Sequence, residues 1–252
     1  MPIPASILLI FSHPDDESFV AAGLARRYVE CGAQIVLVTA TRGDAGRVGD
    51  PPLCDRKALP ELREAELRQA AGLLGISQVY LLDYQDKHLA DAPIDRIRAE
   101  LVALIRCHRP HVVITFDPNG MNGHADHIAI SRFTMDAVAA AADPRWVTES
   151  TTPHRVQRLL WTAPILPWEV THSADLGLAP GVDFTIDIAP YRDVKAEALR
   201  AHRTQHVPVN RCFLSKPDVD QILSIEIFRQ VWGPPLQRIP ADDVLAGIDL
   251  SG

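Results

Sequence analysis

The sequence predicts an α/β fold: a three-layer, Rossmann-like arrangement with a largely parallel sheet and helices on both faces. Three observations lead there. Short apolar, β-branched runs alternate with longer amphipathic ones along the first 143 residues. That βαβα alternation is the pattern of parallel strands joined by right-handed crossovers. The polar stretches richest in His and Asp fall just after apolar runs, at the C-terminal strand ends where open α/β sheets collect ligands. With 252 residues and 47% apolar composition, the chain can build one sizeable core and reads as a single domain over 1–252.

The elements follow in order. ILLIF (7–11) is the first strand and ESFVAAGLARRYVEC (17–31) the helix after it. QIVLVTA (34–40) is paired with PELREAELRQAAGLLG (60–75), VYLLD (79–83) with IDRIRAELVALIRCH (94–108), and HVVITF (111–116) with HADHIAISRFTMDAVAAA (124–141). Beyond Asp143 the regularity weakens. RLLWTAPIL (158–166) and DFTIDI (183–188) read as strands, YRDVKAEALRAHRTQ (191–205) as a helix, and the proline-rich tail after Trp232 as irregular. Residues 41–60, rich in Gly and Pro, are too long for an ordinary βα turn and read as a mobile loop at the active site.

A net charge of -7 and a pI near 5.8, with no lysine-rich tract, give no electrostatic reason to bind nucleic acid or an anionic membrane. A cytoplasmic protein acting on a small molecule fits better; homo-oligomerisation is left open. Cys31, Cys54, Cys107 and Cys212 are scattered without a CxxC pair, which speaks against a thiolate zinc site or a disulfide framework and for reduced packing residues. The N-terminal apolar run lacks a basic region and is followed at once by charge, unlike a signal peptide. No stretch is long enough to span a bilayer.

The chemistry is concentrated in two places. In FSHPDDESF (11–19), one histidine and three carboxylates occupy five consecutive residues, 13–17. Pro14 biases His13 toward extended backbone, so the strand ends there and a helix starts near Asp16. In PNGMNGHADH (118–127), His124, Asp126 and His127 open another helix. The first and fourth strands of a doubly wound sheet are neighbours at the switch point, so the two clusters meet. Two imidazoles and one carboxylate leave open positions for water and substrate, as catalytic zinc requires. The expected ligands are His13, Asp16 and His127, with Asp15 left beside the metal as general base. A divalent cation offsets the repulsion among the acids. Alone, HPDDE reads equally well as an acidic helix start, and Glu17 reads as a first-turn helix residue or as a partner supporting the ligands from behind. His108, His111, His154 and His172 match no second cluster and read as surface or hydrogen-bonded residues.

SHPDDE followed by GHADH resembles the paired signature of the LmbE-like, or PIG-L, zinc-dependent de-N-acetylases, and ELREAELRQAAGLLGI and KAEALRAHRTQ resemble that family's helical motifs. The likeness extends over roughly residues 7–206. It implies that His13, Asp16 and His127 hold Zn²⁺, that Asp15 is the base, that His124 stabilises the oxyanion and that Asp126 orients a neighbouring histidine. It implies hydrolysis of the N-acetyl group of an N-acetylglucosamine conjugate, releasing acetate and a free amine. Asp44 and Thr204 depart from the family's usual Glu and Ser. Arg42, Asp44, Arg63 and Asp86 are candidate substrate-binding residues, with Arg63 and Asp86 foremost; Lys195, His202 and Gln205 are candidate pocket or supporting residues. Two rival readings keep the metal: an amidase for a non-sugar amide or thiol conjugate, and a non-catalytic metal-binding regulatory protein. Fe²⁺ suits the same ligand set. A nucleotide-binding module is disfavoured, since acids rather than glycines follow the first strand.

Overall fold

The computed structural model describes residues 4–146, 152–170, 176 and 179–251; His172 lies outside them. Strand β1 (Ser6–Phe11) is buried along its whole length and pairs in parallel with β2 (Gln34–Thr41) on one side and β4 (Val112–Thr115) on the other. The seven-stranded sheet adds β3 (Gln78–Tyr84), β5 (Arg158–Thr162), β6 (Phe184–Asp187) and β7 (Ile225–Trp232) in the order β3-β2-β1-β4-β5-β7-β6. The first five strands are parallel; β7 runs antiparallel to both β5 and β6. Strands buried on both faces read as continuous apolar runs, and SILLIF and VVIT do so.

The strand order reverses after β3. Under right-handed crossovers this puts α2 (Ala22–Glu30) and α3 (Leu59–Leu74) on one face, and α4 (Ile94–His108) and α6 (Ala125–Ala142) on the other. The reversal opens a crevice between β1 and β4. Short α1 (Asp16–Val20) leaves the end of β1, and the one-turn segment α5 (Gly120–Gly123) precedes α6. The helix α7 (Arg192–Ala201) packs against α2 and α3. The α/β expectation thus holds, with an antiparallel extension.

Three local expectations are corrected. Strand β7 is absent from the elements expected of the sequence, because Glu226, Arg229 and Gln230 interrupt its apolar pattern. The helix expected over 17–31 breaks at Ala21 (φ -140°), and α2 has no side-chain cap of its own. Glu226 from β7 takes that role, accepting the N–H groups of Gly23 (3.0 Å) and Leu24 (2.7 Å). A carboxylate there satisfies free donors and complements the positive helix end. Lys195 is its counter-ion (Nζ to Oε1 2.7 Å), buried in the core rather than in a pocket. Of the cysteines, all free, only Cys212 is buried, while Cys31 and Cys107 are exposed. His111 accepts the Ser6 N–H at 3.1 Å, and His154 contacts the Pro110 carbonyl at 2.8 Å.

Removing Glu226 strands a buried ammonium and uncaps α2 together. Glu226→Ala is expected to cost about 3–5 kcal/mol, the range for breaking a buried pair. Adding Lys195→Met should recover part of the loss, as equilibrium denaturation would measure.

Candidate active site

The C-terminal ends of β1 and β4 lie side by side, with the Phe11 and Phe116 rings 5.1 Å apart. Past β1, the Asp16 carboxylate turns back to accept the backbone N–H groups of Ser12 (3.1 Å) and His13 (2.8 Å) through Oδ2. Past β4, Asp117 accepts the N–H groups of Asn119 (3.0 Å) and Met121 (2.6 Å), folding the loop into its turn. Gly120 sits at φ +68°, and a Cβ there would lie 2.9 Å from the His127 Cβ and the Ile128 backbone. Only glycine allows this approach, and it brings the Gly120 carbonyl to His127 Nδ1 at 3.2 Å.

Two imidazole nitrogens and both oxygens of the Asp16 carboxylate then converge. His13 Nδ1 is 3.2 Å from His127 Nε2 and 3.6 Å from Asp16 Oδ2, and His127 Nε2 is 3.4 Å from Asp16 Oδ1. Four donors held tetrahedrally at about 2.0–2.1 Å from a zinc ion stand about 3.3–3.4 Å apart, so the spacing suits such an ion. The opposite side of each ligand is fixed. His127 donates Nδ1–H to the Gly120 carbonyl and stacks on Phe116, with centroids 3.9 Å apart and planes at 4°. His13 directs Nε2 to Asp126 (3.1 Å) and Asp86 (3.2 Å), leaving the Nδ1 lone pair facing inward. Such partners fix the tautomer of a metal-ligating histidine.

Two other groupings have metal-site spacing: His13, Asp86 and Asp126, and His13, His124 and His127. In the first, Asp126 already accepts the N–H groups of Lys87 (2.6 Å) and Leu89 (3.1 Å), and Asp86 that of Ala45 (3.0 Å). Those carboxylates are engaged with backbone as well as with His13. His124 is turned differently: as the residue capping α6, its Nδ1 accepts the Asp126 N–H at 3.2 Å. Asp16, by contrast, spends Oδ2 on backbone N–H groups and turns Oδ1 toward His127 Nε2 at 3.4 Å, which favours the set His13, Asp16 and His127.

Asp15 and Asp16 are neighbours with opposite electrostatics. Burial alone would raise Asp16, but the facing His127 and His13 imidazoles hold it well below the usual carboxylate range. Burial pushes Asp15 up to about 6, with Arg63 pulling the other way and Asp16 adding to the rise. Arg63 Nη2 binds Asp15 Oδ2 at 3.0 Å and also the Pro14 carbonyl, and Nη1 binds the Gly43 carbonyl at 3.0 Å. The guanidinium lies directly on Gly43 and Gly46, where a Cβ would come within 2.1 and 2.4 Å of Nη1. That is what the glycines of TRGDAG are for. Burial opposes a charged His13, yet Asp126, Asp16 and Asp86 together raise it well above the ordinary value; burial is likewise outweighed at Asp86, which His13 brings down to about 2. His124 is lowered by burial and by the His13 and His127 rings.

These groups open into a cavity of about 190 Å³ lined by His13, Asp15, Asp16, His124 and His127, with Phe19 and Trp168 forming an aromatic wall. Arg63 and Asp86 line it too, but their hydrogen bonds are largely spent on Asp15 and His13 rather than held ready for hydroxyl groups. Arg42 and Asp44 stand outside the lining. Arg42 pairs with Glu64 and with Asp83 (2.6 Å), and Asp44 accepts the Asp86 N–H at 3.3 Å. Gln205 lines the cavity and ties Thr204 to the Arg47 carbonyl. His202 lies behind it on Glu17, at 2.8 Å. Trp168, Lys87 and Pro208 also reach the cavity; isolated in weakly patterned segments, they give no signal in the sequence. Phe116 could have been found, since it ends a strand one residue before the acidic turn.

Comparison with known proteins gives the family. A model of the PIG-L family, GlcNAc-PI de-N-acetylase, matches residues 8–138. A 1D-myo-inositol 2-acetamido-2-deoxy-alpha-D-glucopyranoside deacetylase from Thermobifida fusca is 35% identical, spanning 93% of this chain and 95% of that protein. Among solved structures, the conserved protein TT1542 from Thermus thermophilus is similar with a TM-score of 0.71 at 26% identity, covering 97% of this chain and all of that one. The N,N'-diacetylchitobiose deacetylase of Pyrococcus horikoshii shares the fold with a TM-score of 0.70 at 20% identity, over 90% of this chain and 83% of that one. On the family match and the relative at 35% identity, the chain belongs to the PIG-L family of de-N-acetylases.

Proposed function

We propose that this chain is a zinc-dependent N-deacetylase that cleaves the acetamide of an N-acetylglucosamine conjugate, with a polyol glycoside such as the inositol compound of its relatives as the foremost substrate. The observation that supports this best is the convergence of His13, Asp16 and His127 at the floor of a cavity that also holds an Asp15 carboxylate outside the ligand set. Family membership supports the acyl group and the sugar. A regulatory metal site would need neither Asp15 nor His124 in the cavity.

The donor set of two imidazoles and one carboxylate would hold Zn²⁺, which supplies a water with its pKa lowered to about 7 and polarises the acyl oxygen. Asp15 accepts the proton of the attacking water. Its carboxylate is aimed by Arg63 at 3.0 Å, and it lies in the cavity outside the ligand set, where a carboxylate can take up a proton and give it back. His124 has a different part. Because its Nδ1 accepts a backbone N–H, the neutral ring carries its proton on Nε2 and can donate to the developing oxyanion. Burial and two neighbouring histidines keep it neutral. Asp15 then returns its proton to the departing amine, and acetate leaves. Phe19 and Trp168 offer apolar faces to the sugar ring and acetyl methyl.

Acetate release should be absent from metal-stripped protein and return with one equivalent of Zn²⁺. A panel of N-acetylglucosaminides and non-sugar N-acyl compounds reads out the specificity: cleavage confined to the latter would overturn the sugar assignment. Asp15→Asn should keep zinc and lose about 10²–10⁴ in kcat. Asp126→Asn, which weakens the hold on His13, should lower zinc affinity or turnover about 10–100-fold, measured by chelator competition alongside kinetics.

A further inference from the structure

Asp15 has an unusual backbone, with φ 128° and ψ -25°. A side chain other than glycine is strained there, and strain persists only where the surroundings impose it. Two side chains hold Asp15. One is Arg63, on its carboxylate. The other is Glu17, whose Oε2 accepts the Asp15 N–H at 3.2 Å. The opposite oxygen, Oε1, is fixed by His202 Nε2 at 2.8 Å and by the Ser18 hydroxyl at 2.6 Å. Glu17, Ser18 and His202 are all buried. His202 caps the C-terminal end of α7, so the core of the molecule reaches the catalytic turn through this one carboxylate.

We propose that Glu17, backed by His202, is a positioning residue that holds Asp15 in its left-handed conformation and thereby aims the Asp15 carboxylate into the cavity. Glu17 faces neither the cavity nor solvent: from the first turn of α1 its carboxylate reaches back to the N–H of Asp15, the residue at the helix N-cap, while His202 and Ser18 hold its other oxygen. It is a helix-start acid whose hold falls on the strained residue itself. Were φ to relax to a negative value, Cβ of Asp15 would swing about the fixed Pro14 and carry the carboxylate away from the place where Arg63 meets it. This inference rests on Asp15 being the base, but it has a consequence in the free protein that does not depend on activity.

The activity-free test compares melting temperatures of metal-free protein carrying Asp15→Gly or Asp15→Ala, each with Glu17 intact and with Glu17→Ala. With Glu17 intact, the glycine variant should melt higher than the alanine variant, because glycine accepts the imposed φ without strain. With Glu17→Ala the imposed conformation is released, and the difference should close. A difference that persists undiminished would overturn the proposal, placing the strain with Arg63 or Pro14. The kinetic test uses zinc-loaded wild type, Glu17→Ala and Glu17→Gln. Loss of kcat by about tenfold to a hundredfold, the scale of an ångström-level misplacement, with KM and bound zinc nearly unchanged, is expected. Unchanged kcat, or a loss matched by loss of zinc, would refute it. Glu17→Gln keeps the volume should the alanine variant fail to fold, and offers one acceptor oxygen to three donors, so it should move kcat in the same direction. If wild type cleaves no acyl substrate, the deacetylase reading fails while the melting comparison still decides whether Glu17 holds Asp15.

Discussion

The convergence of two imidazole nitrogens and one carboxylate is the constraint on which the rest of this site depends. His13 Nδ1, His127 Nε2 and the two oxygens of Asp16 face one another across 3.2–3.6 Å, an arrangement that calls for a proton or a cation among them. A protein can hold it only by occupying the far side of every ligand, and each far side here leads to a different loop. Asp16 is held by backbone donors at the end of β1, and His127 by the Gly120 carbonyl after β4. His13 is held by Asp126 and Asp86, which are themselves fixed by Lys87 and Leu89 after β3 and by Ala45 after β2. The C-terminal loops of four adjacent parallel strands are thus tied to one point by carboxylates. The switch point supplies the crevice, and the carboxylates supply its precision.

The same network separates two adjacent acids into different roles. Asp16 turns toward two imidazoles, which hold it well below the usual carboxylate range; Asp15 turns toward the cavity and one guanidinium, and burial pushes it up to about 6. Neighbours in sequence whose environments drive their pKa values apart can serve different chemical roles, as the proposed function requires of Asp16 and Asp15. The reversal of direction between them is a backbone event: the strained φ at Asp15 is what sends successive side chains to different partners. Pro14 before it and Glu17 after it make sense as the limits of that turn.

Much of this is legible in the sequence, for reasons that are themselves physical. Parallel strands are buried on both faces, so β1, β2 and β4 stand out as apolar runs, and histidines and acids clustered after two of them point to the crevice. What escapes a reading of the sequence is set by distant contacts. The break at Ala21 depends on Glu226, some two hundred residues away, and β7 is hidden because that same Glu226 spends a charged residue inside the fold. Arg63 and Asp86 read as sugar partners because a charged residue near a site looks available; their real partners, Asp15 and His13, emerge only once four loops are brought together. Arg42 reads the same way, yet its ion pairs with Glu64 and Asp83 hold it outside the cavity.

The division of labour along the chain bears on specificity. The proposed ligands and the carboxylates behind them come from residues up to His127, on the parallel half of the sheet. The C-terminal part contributes Trp168, Gln205 and Pro208 to the cavity wall, from short turns rather than strands. These are not loose additions. Gln205 reaches the Arg47 carbonyl, and Thr204 gives both its N–H and its hydroxyl to Glu66 of α3, so a hydroxyl residue at 204 fastens the wall to the catalytic half. Thr serves that purpose as Ser would. Chemistry fixed by carboxylates on one half and shape set by side chains on the other allow the wall to change without disturbing the ligands. In this chain the wall around Trp168 and Gln205 is thus built separately from the groups around His13, which are held together as a unit.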